Sequence, residues 1–381
     1  MKKWTYAILA LTLTAGLAAC NGSNDETDNN IVFGDNQIGN GEQEFIITHN
    51  QTIKKGVYLL KGWCYVADGA TLVIEAGTVI KGDNETRAAL IVEPGGQIIA
   101  RGTAELPIVF TSEKAPGQRK PGDWGGLILC GNARNNQGIM QVEGGPRTMH
   151  GGNKDTDNSG ILSYVRIEFA GSPLRTNQEI NGLTLGSVGS NTQIDHIQVS
   201  YSNDDAFEWF GGTVSPNYLV AYHTWDDDFD ADNGYRGTAT NLLGIRHPRI
   251  ADASTSHGFE CSSSSNAEPQ TAPTFSNVNL YGPSSTDAEF ENTTTYINGA
   301  GLLPDNQSLL GLYGAAIALS SNTAVSFKNA NINGYPLNWE GTAATQENVT
   351  FGTATVSFLP GPTVGVISIH RILYINTPLS S

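Results

Sequence analysis

Positive charge is scarce in this chain: 21 Lys and Arg stand against 37 Asp and Glu, a formal net charge of −16. Phosphate backbones and anionic headgroups repel so acidic a surface, which excludes nucleic acid and makes anionic lipid a poor partner. Helical periodicity is nearly absent, and apolar residues recur instead in short runs such as Ala70–Ile80, Ala88–Ala100 and Leu162–Phe169. Turn residues, among them 44 glycines, punctuate those runs, so the chain reads as all-β. Also missing are a Ser-His-Asp elbow, a Cys/His metal motif, a Walker loop and a dinucleotide fingerprint, which removes the commonest hydrolase, zinc, nucleotide and redox chemistries. The longest apolar run, from about Trp4 to Ala18, is too short for a bilayer span of roughly 20 residues.

What that run does suit is export. Lys2 and Lys3 precede it, and it ends in Leu17-Ala18-Ala19-Cys20, a stretch that resembles the bacterial lipobox, whose cysteine is acylated and becomes the first mature residue. Residues 1–19 are therefore expected to be a signal peptide, Cys20 the lipidation site, and the polar, acidic residues 20–40 a flexible tether. Similar acidic tethers occur on lipoproteins that Bacteroidota display on the outer membrane. The expected location is the outer membrane, lipid-anchored and facing outward. Loss of Lys2 and Lys3 makes the mature chain still more acidic. Of the remaining cysteines, Cys64, Cys130 and Cys261, two could bridge in an oxidising compartment, while their apolar surroundings suit buried free thiols equally.

No linker follows residue 40, so 41–381 reads as one domain. Its architecture comes from an internal repeat. Ile197-Gln198-Val199-Ser200, Val220-Ala221-Tyr222-His223 and Leu243-Gly244-Ile245-Arg246 begin 23 residues apart, and Phe207-Glu208, Phe229-Asp230 and Phe259-Glu260 mark a second strand in each unit. At about 3.3 Å per residue, 23 residues trace roughly 76 Å, enough for one turn of a flattened solenoid. The fold predicted is a single-domain right-handed parallel β-helix, with Gln198, Ala221 and Gly244 in one outward column, Ser200, His223 and Arg246 in the next, and Tyr222 pointing inward.

Several motifs support this reading by resemblance. Gly122-Asp123-Trp124-Gly125-Gly126-Leu127, Tyr164–Gly171, Asp204–Gly212, Asp226–Asp230 and Gly234–Gly237 resemble a family of Bacteroidota surface lipoproteins of uncharacterised function, over roughly residues 55–285. That family is placed with pectin-lyase-like β-helices. The resemblance implies architecture and surface location and no particular reaction.

Chemistry is concentrated in the carboxylates. The 23-residue offset stacks Asp204 on Asp227 and Asp205 on Asp228, with Glu208, Asp230 and Glu260 in a neighbouring column. Coils lie about 4.8 Å apart, so such acids repel one another unless a cation sits among them, and oxygen-rich sets suit Ca²⁺. An EF-hand is excluded: a loop counted from Asp226 or Asp228 lacks the sixth-position glycine and the closing acid. Trp209, His223, Trp225 and Tyr235 surround the cluster and are the candidates for stacking on a sugar.

Two functions fit. One is a non-catalytic surface protein binding a polysaccharide or a partner protein. The other is a Ca²⁺-dependent polysaccharide lyase or other glycan-cleaving enzyme, with Arg246 as base and with Arg249 and Arg236 behind it. Ile194-Asp195-His196 faintly resembles a pectate lyase strand, but Arg246-His247-Pro248-Arg249 departs from the lyase arginine spacing, which puts that base in doubt.

Overall fold

A strand whose every second residue is apolar buries one face only, and here the buried faces meet by stacking coil upon coil. The computed structural model describes residues 32–353 apart from 34–35, 43, 176–177, 265, 284–287 and 298–308. Regular elements among them are all strands. Most lie in two long sheets, a broad one of 15 strands and a narrow one of 10. Each central coil gives one strand to each: Gln193–Ser200 then Phe207–Phe210, Asn217–Tyr222 then Phe229–Asp232, Thr238–Ile245 then Phe259–Cys261. Successive coils pair in parallel, and the chain winds as the right-handed parallel β-helix expected. The core lies between the sheets, where Ile197, Leu219, Leu242 and Val278 face the column Phe207, Phe229 and Phe259. Those rings stack with centroids 5.5 and 5.0 Å apart.

The register differs from the expected one by a residue. Ile197 pairs with Leu219, not Val220, and Val199, Ala221 and Gly244 form an inward column, so Ala221 and Gly244 are core positions. A Cβ on Gly244 would lie 2.6 Å from both Asp228 Oδ2 and Leu280 Cδ2. Sequence alternation misled because the outer face is apolar there too: Val220, Tyr222, Leu243 and Ile245 cluster outside the coil with Phe169, Tyr201 and Trp225. Tyr222 thus points outward, and a one-residue slip exchanges the faces of a strand.

A second feature had no counterpart in the sequence reading. Gly160–Glu168 continues two shorter strands at once, pairing with Ile98–Arg101 before Tyr164 and with Ile108–Phe110 after it. Tyr164 sits between at φ +50°, and His196, Tyr218, Asn241, Asn277, Asn329 and Asn348 repeat that left-handed bend. Asparagine tolerates it through its short polar side chain. The amides also bond between coils: Asn277 Nδ2 donates to Asn241 Oδ1 at 3.2 Å and Asn329 Nδ2 to Asn277 Oδ1 at 3.3 Å. Where the bend is aromatic, the rings of Tyr164, His196 and Tyr218 stack instead, 4.2 and 4.5 Å apart.

The N-terminal edge corrects one boundary. Val32–Phe33 and Gln37–Ile38, placed by sequence in the tether, pair as strands, and Ile38 is buried against the first coil. Cys64, Cys130 and Cys261 are free and buried, with desolvation pushing the Cys64 thiol up to about 12. Cys20 and residues 354–381 lie outside the described residues.

Candidate metal site

The acids gather at the corner where each central coil passes from the broad sheet to the narrow one. The pairing of Phe207 with Phe229 and Phe229 with Phe259 sets their order. One residue later, Glu208, Asp230 and Glu260 form a column on the outer face of the narrow sheet. Two residues before the phenylalanines stand Asp205, Asp227 and His257, and three before stand Asp204 and Asp226. The expected stacking of Asp204 on Asp227 and Asp205 on Asp228 is therefore corrected, because this coil is one residue shorter than the 23 assumed.

Three groups bring ligand atoms within 4.8 Å of one another: Asp204, Asp205 and Asp226; Asp205, Glu208 and Asp230; and Asp227, His257 and Glu260. The third group carries a cation of its own. His257 Nδ1 lies 3.2 Å from Asp227 Oδ1 and 3.4 Å from Glu260 Oε2. Burial would lower the imidazole, but the two carboxylates outweigh it and hold it up at about 10. Asp227 in turn stays below the usual carboxylate range, since His257 outweighs its own desolvation.

The two groups that share Asp205 have no such partner. Burial pushes the carboxyls of Asp204, Asp205, Glu208, Asp226 and Asp230 well above their usual range, and the charges acting on each are other carboxylates, including Glu143, Glu179 and Asp252. Oxygens are left over as well. Asp226 Oδ1, Asp230 Oδ1, Asn181 Oδ1 and Thr184 Oγ1 are buried without a hydrogen-bond partner. Thr184 pairs in register with Glu208, and the Asn181 amide donates to Glu208, so both neutral oxygens border the second group. A water molecule could donate hydrogens there but could not offset the negative charge. A hard divalent cation would take the oxygen lone pairs as ligands and offset the charge as well, and the all-oxygen donor set fits Ca²⁺, which takes about 6–8 such ligands.

The family model described as a pectate-lyase like beta helix domain matches residues 45–358. The chain belongs to this family. No curated protein matches it. In this pectate-lyase-like β-helix Arg246, Asp228 and the sugar-stacking candidates are enclosed, whereas Arg249 is exposed and Arg236 half-buried. Arg246 is 1% exposed, and its Nη1 donates to Asp228 Oδ1 at 3.1 Å and to the Asp226 carbonyl at 2.5 Å. Burial would strip its proton, but Asp228 outweighs burial and the guanidinium holds the proton more firmly than usual. A general base needs the reverse, together with access to substrate. Asp228, expected in the carboxylate columns, lies inside the coil stack beneath Gly244. Its carboxyl is pushed up to about 7 by burial, partly offset by Arg246.

The sugar-stacking candidates are buried too. Trp209 stacks on Tyr235 in the core at 5.1 Å, and the Tyr235 hydroxyl donates to the Val214 carbonyl. Trp225 belongs to the outer apolar cluster, and His223 lies against Tyr201, Tyr222 and His247, away from the acids. None offers a ring face to a ligand. Asp226, His257, Asn181 and Thr184 were missed. The first two were available from the sequence, since aligning the three phenylalanines brings Asp226 beside Asp204 and His257 beside Asp227.

Proposed function

We propose that this protein is a lipid-anchored β-helix of the outer bacterial surface that holds Ca²⁺ at its acidic corner and uses the ion to retain an anionic glycan without cleaving it. The observation that carries this reading is the pair of carboxylate groups sharing Asp205, bordered by buried oxygens that lack a partner. Ca²⁺ takes about 6–8 oxygen ligands, and any position that the chain leaves unfilled would be open to sugar oxygens. Retention rather than cleavage is favoured because the nearest cations, Arg246 and His257, are committed to Asp228 and to Asp227 and Glu260. The lipid anchor rests on Leu17-Ala18-Ala19-Cys20.

Calcium titration of chelator-stripped protein, followed by a glycan array with and without EGTA, tests this. Ca²⁺ binding lost in Asp205→Asn and EGTA-sensitive retention of polyuronates are expected; retention that ignores EGTA would sink the reading. Cys20→Ser should release the protein from membranes, and unchanged partition would remove the anchor.

A further inference from the structure

The outer face of the broad sheet carries a charge that the acidic corner does not use. Val165 and Ile167 enter the core, so Arg166 between them leaves the strand outward. It is nevertheless only 7% exposed. Its register partners are Val109 on one coil and Gln198 on the next, and Gln198 is paired in turn with Val220. Arg166 Nε and Gln198 Oε1 are both buried without a hydrogen-bond partner, while the Gln198 amide nitrogen is spent on Ser200 Oγ at 2.9 Å.

Among the described residues no carboxylate lies within ion-pair distance of Arg166. Glu168, two residues along the same face, is taken by Thr111 at 2.9 Å and by Arg119 at 3.8 Å. Burial lowers the proton affinity of Arg166, and the charge of Glu168 does not make up for it. A buried guanidinium without an anion is costly. Water would accept from Nε–H but would bring no negative charge. The two unmet needs belong to register partners on adjacent strands, whose backbones lie about 4.8 Å apart: an anion for Arg166 and a hydroxyl donor for Gln198.

We propose that Arg166 and Gln198 form a subsite for a hydroxylated oxyanion, with the carboxylate, sulfate or phosphate of a sugar on the guanidinium and an adjacent hydroxyl donating to Gln198 Oε1. Val109 and Val220 wall the column at either end. The subsite needs no metal and does not rest on the calcium reading.

Calorimetry on the full chain in excess EGTA tests it, with galacturonic acid, galactose 6-sulfate, inorganic phosphate and galactose as probes. At least one of the three anions should bind and galactose should not; whichever acidic sugar binds more tightly names the source of the oxyanion. Arg166→Gln should weaken that binding at least tenfold without lowering the melting temperature, since it removes an uncompensated charge. Arg166→Lys, which keeps the charge but loses the planar fork, is the second variant and should also bind at least tenfold more weakly. Gln198→Ala should weaken the acidic sugar and leave inorganic phosphate unchanged. Absence of binding by every anion, binding by both Arg166 variants as tight as that of the wild type, or binding that appears only when calcium is restored would each overturn the proposal. The last result would also leave the calcium reading intact.

Discussion

Two sets of buried carboxylates lie within a few residues of each other and differ in one respect. Asp228 is enclosed with Arg246, whose guanidinium also lies over the Tyr313 ring, so the interior charge is answered from within the chain. Asp205, Glu208, Asp226 and Asp230 are desolvated almost as thoroughly and are answered only by more acid. The comparison teaches that burial by itself does not mark a functional acid. A compensated pair is part of the scaffold, and an uncompensated group requires something the chain does not supply.

The largest effect should come from breaking the compensated side. Arg246→Met leaves Asp228 alone in the interior and is expected to lose about 3–5 kcal/mol in urea denaturation; a loss under about 1 kcal/mol would erase the distinction. Next comes calcium. At 100 times its dissociation constant it should add about 2.7 kcal/mol to the wild type, read as a rise in melting temperature, and nothing to Asp205→Asn.

A smaller effect concerns pH. Asp204, Asp205, Glu208, Asp226 and Asp230 bind protons more tightly folded than unfolded, so chelated protein should gain stability as pH falls from neutrality toward the ordinary carboxylate range near 4. Melting curves in EGTA should show that slope and Ca²⁺ should flatten it; a flat profile in EGTA would place these acids in solvent. The Asp227–His257 pair runs oppositely at both ends. Asp227 is depressed, so its contribution fades in acid, and that of His257 fades as pH rises through about 10. The smallest effect is expected from Trp225→Phe, which should leave glycan retention unchanged, because the indole is fully buried in the outer apolar cluster and offers no face to a ligand. Loss of retention in a folded variant would return Trp225 to the site.

The β-helix was legible because Phe207, Phe229 and Phe259 each open a strand beside an acid, and that pairing survived every change of coil length. The exact register was not. Val220 and Tyr222 alternate as convincingly as a core strand while packing outside the coil, so hydrophobicity alone could not tell the faces apart. The site was legible as a cluster of acids and mis-stacked by one residue for the same reason. Asn181 and Thr184 carried no signal at all, since a neutral side chain becomes a metal-site oxygen only through what folding places beside it. Arg246 and the tryptophans were misjudged because proximity in sequence to the acids says nothing about which side of the wall a side chain occupies.

The left-handed bend repeated at Tyr164, His196, Tyr218, Asn241, Asn277, Asn329 and Asn348 has a consequence for how such a molecule can change. It anchors each of these coils at one seam, so differences in length among them must be absorbed elsewhere on the perimeter. Leu219 to Leu242 is a short circuit, whereas Leu242 to Val278 and Val278 to Ala330 carry long excursions, yet all three rejoin the seam in register. The scaffold is thereby modular. Loops of new composition can be traded into the far turns of a coil, and new specificities acquired, while the spine that counts the coils is left untouched.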